Sequence, residues 1–116
     1  MIEGDVVLTP PPQADGQVKN RPAVVLRVMP GHGDLLVCGV STQLHHETRG
    51  FDEVIRPDDP DFAASGLKAV SLIRLGFLAV LPVTSFLGSI GSISPERHGR
   101  LWQRLCEYLV RGRGPA

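Results

Sequence analysis

Hydrophobic positions in the first half of the chain come in short runs cut by proline and glycine, not at helical spacing. Val6–Leu8 follows Gly4-Asp5 and stops at Pro10-Pro11-Pro12. This predicts a first strand and then a loop to Gln17, with three prolines limiting its collapse and Gly16 supplying a bend. Pro22–Val28 predicts a second strand, because Ala23–Leu26 is too short for a helix and rich in valine. Pro30-Gly31-His32-Gly33-Asp34 is dense turn chemistry, and Leu35–Val40 reads as the third strand. The two strands therefore predict an antiparallel hairpin, whose far end runs into the polar stretch Ser41-Thr42-Gln43.

The second half continues in the same style and then changes. Gln43–Gly50 has no clear period and reads as a loop or a ragged strand. Phe51–Ile55 predicts a short strand, which Arg56-Pro57-Asp58-Asp59-Pro60 cannot continue, and Phe62–Gly66 one helical turn. Lys68–Leu75 and Leu78–Val83 predict two more strands, and Phe86–Ile93 alternates with glycines dense enough to mark bends in a curled sheet. Ser94-Pro95-Glu96 is a helix start: a serine N-cap, proline in the first turn and an acid at the positive end of the dipole. Leu101, Trp102, Leu105 and Leu109 then repeat at helical spacing up to Gly112, which places a helix over about 95–111. Six or seven short strands and one C-terminal α-helix predict a mainly β fold. The architecture expected is a small curled β-barrel with the helix packed on it, as one domain over 1–116.

Composition narrows the functions this fold can carry. The chain has 116 residues, 42% of them hydrophobic and 21% charged, ordinary values for a globular protein with one modest core. Aromatics are only 5%, which argues against a base-stacking platform of the kind that lines many single-strand binders. Formal net charge is zero, so any attraction for an anionic polymer has to be local. The charges are unevenly placed. Asp52, Glu53, Asp58, Asp59 and Asp61 oppose only Arg56 across 51–65, whereas Arg97, Arg100, Arg104, Arg111 and Arg113 oppose only Glu107 at the end. Cys38 and Cys106 are isolated thiols with no CxxC unit or metal-ligand spacing, which reads as a reduced intracellular pair. The start at Met1–Asp5 does not resemble a signal peptide, and the longest apolar stretch, near Leu75–Val83, is too short to span a bilayer. A cytoplasmic protein is the expectation.

One stretch stands out as candidate chemistry: Lys19–Leu26, KNRPAVVL. Proline fixes its own φ and pushes the residue before it into extended backbone, so Arg21 is held at the mouth of a buried strand. A cation fixed in this way suits an anionic ligand, but this stretch alone favours the blander reading, a solubilising residue at a strand start. Counting outward from the 31–34 turn brings Arg21 close to Ser41 on the partner strand. A guanidinium beside a hydroxyl makes a phosphodiester pocket, although Ser41 and Thr42 can also simply end the strand by side-chain to backbone bonding. His45-His46-Glu47 looks metal-like, but neighbours in extended chain point opposite ways, so no metal site is expected. His32 in a turn and His98 on the helix read as structural or solvent-facing. There is no GxSxG, P-loop or dinucleotide fingerprint, and the glycines of Gly88–Ser94 lie in a strand and not at a helix mouth.

The ordered set Gly4-Asp5-Val6-Val7, Lys19-x-Arg21-Pro22-Ala23-Val24-Val25-Leu26, Val40-Ser41-Thr42-Gln43, Ser71-Leu72-Ile73-Arg74 and Leu87-x-x-Ile90-Gly91-x-Ile93-Ser94 resembles the MazF/PemK toxin family over nearly the whole chain. The resemblance implies the SH3-like barrel of CcdB/PemK-type toxins. It also implies a toxin of a type II toxin–antitoxin pair: a metal-independent, sequence-selective endoribonuclease (mRNA interferase) that cuts single-stranded RNA, works as a homodimer without cofactors and is neutralised by an antitoxin. The family's RP arginine maps to Arg21 and its catalytic threonine to Ser41. Arg74 matches an arginine that one branch follows two residues later with an aspartate; here Gly76 stands in that place. Chemically, Arg21 would clamp charge building on the phosphoryl oxygens and Ser41 would hold the phosphate or the attacking hydroxyl. Arg74 would be a second cation or acid, and His45 or His46 would move protons. Lys19, Thr42 and Gln43 are the accompanying RNA-binding candidates. The alternative is a non-catalytic or degenerate member of the fold that acts by binding, such as a CcdB-like gyrase poison.

Overall fold

The predicted hairpin forms the middle of the sheet. The computed structural model describes residues 1–9 and 20–112; the proline segment, Lys19 and Arg113 lie outside them. Its strands are β1 (Asp5–Thr9), β2 (Arg21–Val28), β3 (Leu35–Ser41), β4 (Glu53–Ile55), β5 (Ser71–Leu81) and β6 (Gly88–Ser92). The α-helices are α1 (Phe62–Ser65) and α2 (Pro95–Arg111), with 3-10 turns at Leu44–His46 and Val83–Ser85. All pairings are antiparallel, in the order β4-β5-β3-β2-β1-β6. The sheet curls into a half-barrel with β4 and β6 at its edges, and α1 packs against β6 across the gap. That contact is intimate. A Cβ on Gly91 would collide with the backbone carbonyl of Ala64, and one on Gly66 with that of Ile90.

Two strand expectations change. Lys68–Leu75 and Leu78–Val83 are parts of one eleven-residue strand, β5. Along β3 the partner jumps from Leu78 opposite Cys38 to Arg74 opposite Gly39, so residues 75–77 form a bulge. The apolar pattern breaks there because the first part of β5 is buried while Gly76–Val80 is exposed. Phe86 does not begin a strand; it follows the 3-10 turn and is buried, with β6 starting at Gly88.

Period-two alternation sorts the sheet residues into two clusters. Val6, Val24, Cys38, Val40, Ile73 and Leu75 pack on the face covered by Leu101 and Leu105 of α2. Val7, Ala23, Val25, Leu35, Val37 and Phe86 make a smaller cluster on the other face. Each fully buried aliphatic side chain contributes about 1.5–3 kcal/mol. The alternation in β2 and β3 slips at Leu26, which is a bulge residue between the pairs Val25↔Val37 and Arg27↔Leu36. Its carbonyl, free of the ladder, accepts from Trp102 Nε1 and from His98 Nε2 at 3.0 Å. His98 is therefore structural, buried as an Nε2–H donor that docks α2 onto β2.

The two charged segments pair with each other. Arg97, almost fully buried, donates to Glu53 at 2.7 Å, to Asp59 at 3.0 Å and to Asp61 at 2.8 and 3.1 Å. Arg100 adds 2.8 Å to Glu53 Oε2, and Arg104 donates to the carbonyl of Asp52 at 2.8 Å. Burial alone would push the Asp61 carboxyl up. The hydrogen bond from Arg97, with that from the Ser94 N–H, outweighs it and holds the group below the usual carboxylate range. Ser94 caps α2 as expected, accepting from the Arg97 N–H at 3.1 Å. The two cysteines differ: Cys106 is exposed, whereas Cys38 is buried with its thiol pushed up to about 12, mainly by desolvation.

Candidate functional site

Register, not sequence proximity, assembles the site. In β2, Arg21, Ala23 and Val25 share one face; in β3, Val37, Gly39 and Ser41 share the same face, because Ala23 pairs with Gly39 and Val25 with Val37. Gly39 is also the partner of Arg74 in β5. These side chains lie on the face opposite α2, at the open end of the smaller cluster.

They surround one concavity of about 540 Å³. Its lining includes Arg21, Ser41, Gln43, His46 and Arg74 over a floor of Ala23, Val37 and Gly39. Five of the eight candidates read from the sequence thus converge. Thr42 and His45 are exposed beside the cavity but do not line it, and Lys19 lies outside the described residues. The histidine pair sits in the 3-10 turn and not in extended chain, so its rings come together edge-on, with centroids 4.2 Å apart. Among the described residues no group of three His, Cys, Asp or Glu side chains is placed to hold a metal ion.

Ser41 is oriented by its own strand end. Its Oγ accepts from the Gln43 N–H at 3.0 Å, a local turn of the kind serine favours. This occupies one lone pair and leaves the hydroxyl proton free to donate into the cavity. Ser41 thus ends the strand and also lines the cavity.

Arg74 is positioned by the β5 bulge, and the bulge by Asp52. The Leu75 N–H, released from the ladder, donates to Asp52 Oδ1 at 2.9 Å; Asp52 Oδ2 accepts from the Thr48 N–H at 2.8 Å. Among the described residues no carboxylate stands within ion-pair distance of Arg21 or Arg74, and none lines the cavity. Gly76, exposed in the bulge, supplies none. The cavity combines two guanidinium groups, a hydroxyl, an amide and one imidazole. This set suits a phosphodiester, whose oxygens accept from all of them.

Sequence reasoning missed Phe77, Thr9 and Ser85, which also line the cavity. Thr9 is the ladder partner of Arg21 in β1. The available signal for Phe77 was Gly76: a glycine inside an apolar strand marks a bulge, and the residue after it is re-aimed.

The sequence matches a family described as PemK-like, MazF-like toxin of type II toxin-antitoxin system over residues 2–109. In fold the chain is similar to the Mycobacterium tuberculosis toxin MazF-mt6, with 19% identity, a TM-score of 0.62, and coverage of 91% of this chain and 96% of that one. No curated protein sequence matches significantly.

Proposed function

The chain belongs to the PemK-like, MazF-like toxin family of type II toxin–antitoxin systems, and on that footing we propose that it cleaves single-stranded RNA at the cavity of Arg21, Ser41 and Arg74. The observation that carries the reading is the convergence of two guanidinium groups on one hydroxyl-bearing cavity. In the reaction the 2′-hydroxyl attacks the adjacent phosphorus. The O2′–P bond forms, the P–O5′ bond breaks, the 2′-hydroxyl loses its proton and the leaving O5′ gains one. Arg21 and Arg74 stabilise the charge that builds on the phosphoryl oxygens, and the Ser41 hydroxyl donates to one of them. Arginine stays protonated, so it acts as a clamp and not as a base. His46 is the lining group suited to carry the proton, and Gln43 orients the strand.

Further parts of the reading follow from family membership: a cognate antitoxin, a homodimer and a cytoplasmic location. The exposed Leu78 and Val80 of β5, which alternate with the cavity-facing side chains, support an apolar subunit contact. No helix of the described residues is long and apolar enough to cross a membrane. The lack of a carboxylate in the described lining favours one second reading, a non-catalytic member that acts by binding, as CcdB-like gyrase poisons do.

Incubating the purified protein with a long single-stranded RNA in EDTA separates the two. Cleavage at defined sites is expected; RNA left intact, with gyrase supercoiling inhibited instead, would establish the second reading.

A further inference from the structure

Of the six aromatic side chains in the sequence, Phe77 is the most exposed, at 65%, and it lines the cavity beside Arg21 and Ser41. Its ring lies over Gly39, close enough that a Cβ there would stand 2.6 Å from Phe77 Cδ1. The Arg74 guanidinium carbon is 5.7 Å from the ring centroid. The ring is thus seated on the β3 backbone, flanked by a cation and otherwise open to solvent. Folding alone gives no reason to hold a phenyl ring in water at the rim of a cationic pocket.

We propose that Phe77 is the stacking platform for a nucleobase adjacent to the phosphodiester held by Arg21 and Arg74, with Gly39 as the gap in β3 that lets the ring lie there. The inference rests on the RNA-cleaving reading of the cavity. A nucleotide presents an anion and a flat π-face a few bonds apart, and the cavity sets their counterparts, the Arg74 guanidinium and the Phe77 ring, 5.7 Å apart. Base–aromatic stacking is tolerant of base identity, and a neighbouring arginine adds a cation–π component. The β5 bulge has a single purpose in this account: it turns Arg74 and Phe77 to the same side. Few aromatics in the chain exclude an extended platform, but one base needs one ring.

The test is fluorescence anisotropy with a mixed-sequence single-stranded RNA carrying 2′-O-methyl sugars, which keep bases and phosphates and remove the attacking hydroxyl. Phe77→Leu is expected to weaken binding on the order of tenfold, and Phe77→Tyr to bind like the wild type. On a strand with abasic residues the wild type should lose a similar factor and Phe77→Leu nothing more, a pattern that a merely structural role would not give. If Phe77→Leu matches the wild type on the base-bearing strand while Arg21→Ala loses binding, the stacking role is overturned and the phosphodiester site stands. If the wild type does not bind RNA at all, the reading beneath the proposal fails, and the proposal with it. Light scattering should give the same mass for Phe77→Leu as for the wild type; a smaller species would assign the ring to a subunit contact and overturn the proposal.

Discussion

Arg21 and Arg74 reach one cavity from strands that flank β3 on opposite sides. Two cations facing a common space repel each other, and an anion between them relieves the repulsion. Removing either one should therefore weaken the hold on phosphate. Arg74→Ala is expected to slow RNA cleavage about 10²-fold or more, the usual effect of losing one donor to a transition-state oxyanion. Single-turnover rates on one oligonucleotide would measure it.

The two histidines should separate. His46 lines the cavity and His45 does not. His46→Ala should lower the cleavage rate about 10²–10⁴-fold if it moves the proton, while His45→Ala should change it little. Equal effects from both would remove proton transfer from His46.

Asp52 is expected to act at a distance, through the bulge. It holds the Leu75 N–H, which in turn sets the direction of Arg74 and Phe77. Asp52→Ala leaves two backbone donors unpaired and should cost about 1–3 kcal/mol in urea unfolding. It should also slow cleavage although Asp52 does not line the cavity. Asp52→Asn retains a carbonyl acceptor and should recover part of both losses.

Local parts of the fold were legible in the sequence, and parts fixed by long-range pairing were not. The hairpin around 30–34 and the helix Pro95–Arg111 were readable because turn residues, a cap and a period specify them within a few positions. Arg21 and Ser41 were placed together by counting along that hairpin. Arg74 could be suspected, but its position depends on a bulge that Asp52 holds from 23 residues away. The opposite charges of 51–65 and of the C-terminal helix were visible as blocks. Nothing local says that Arg97 threads into the core to meet Glu53 and Asp61, since those contacts join residues 44 and 36 positions apart.

That network gives a stability prediction. Arg97→Ala would leave Glu53 and Asp61 buried without their shared cation and should cost about 3–5 kcal/mol. The Arg100 side chain is half exposed, so Arg100→Ala should cost at most about 1 kcal/mol. Urea midpoints of the two variants would rank them. The pH dependence has a definite sign. Asp61 is held below its ordinary value in the folded state, so its contribution is present above the usual carboxylate range and is lost as pH falls through the lowered folded value. Asp61→Asn should therefore be less stable than the wild type at pH 7, with the difference shrinking in acid.

The role of Arg21 is decided by the rate and products of RNA cleavage for the wild type and Arg21→Ala, side by side in EDTA. The wild type should make defined cuts, leaving 2′,3′-cyclic phosphate and 5′-hydroxyl ends, at a rate about 10²–10³-fold higher than the variant without the guanidinium. Cleavage that proceeds undiminished in a folded Arg21→Ala protein would contradict that role.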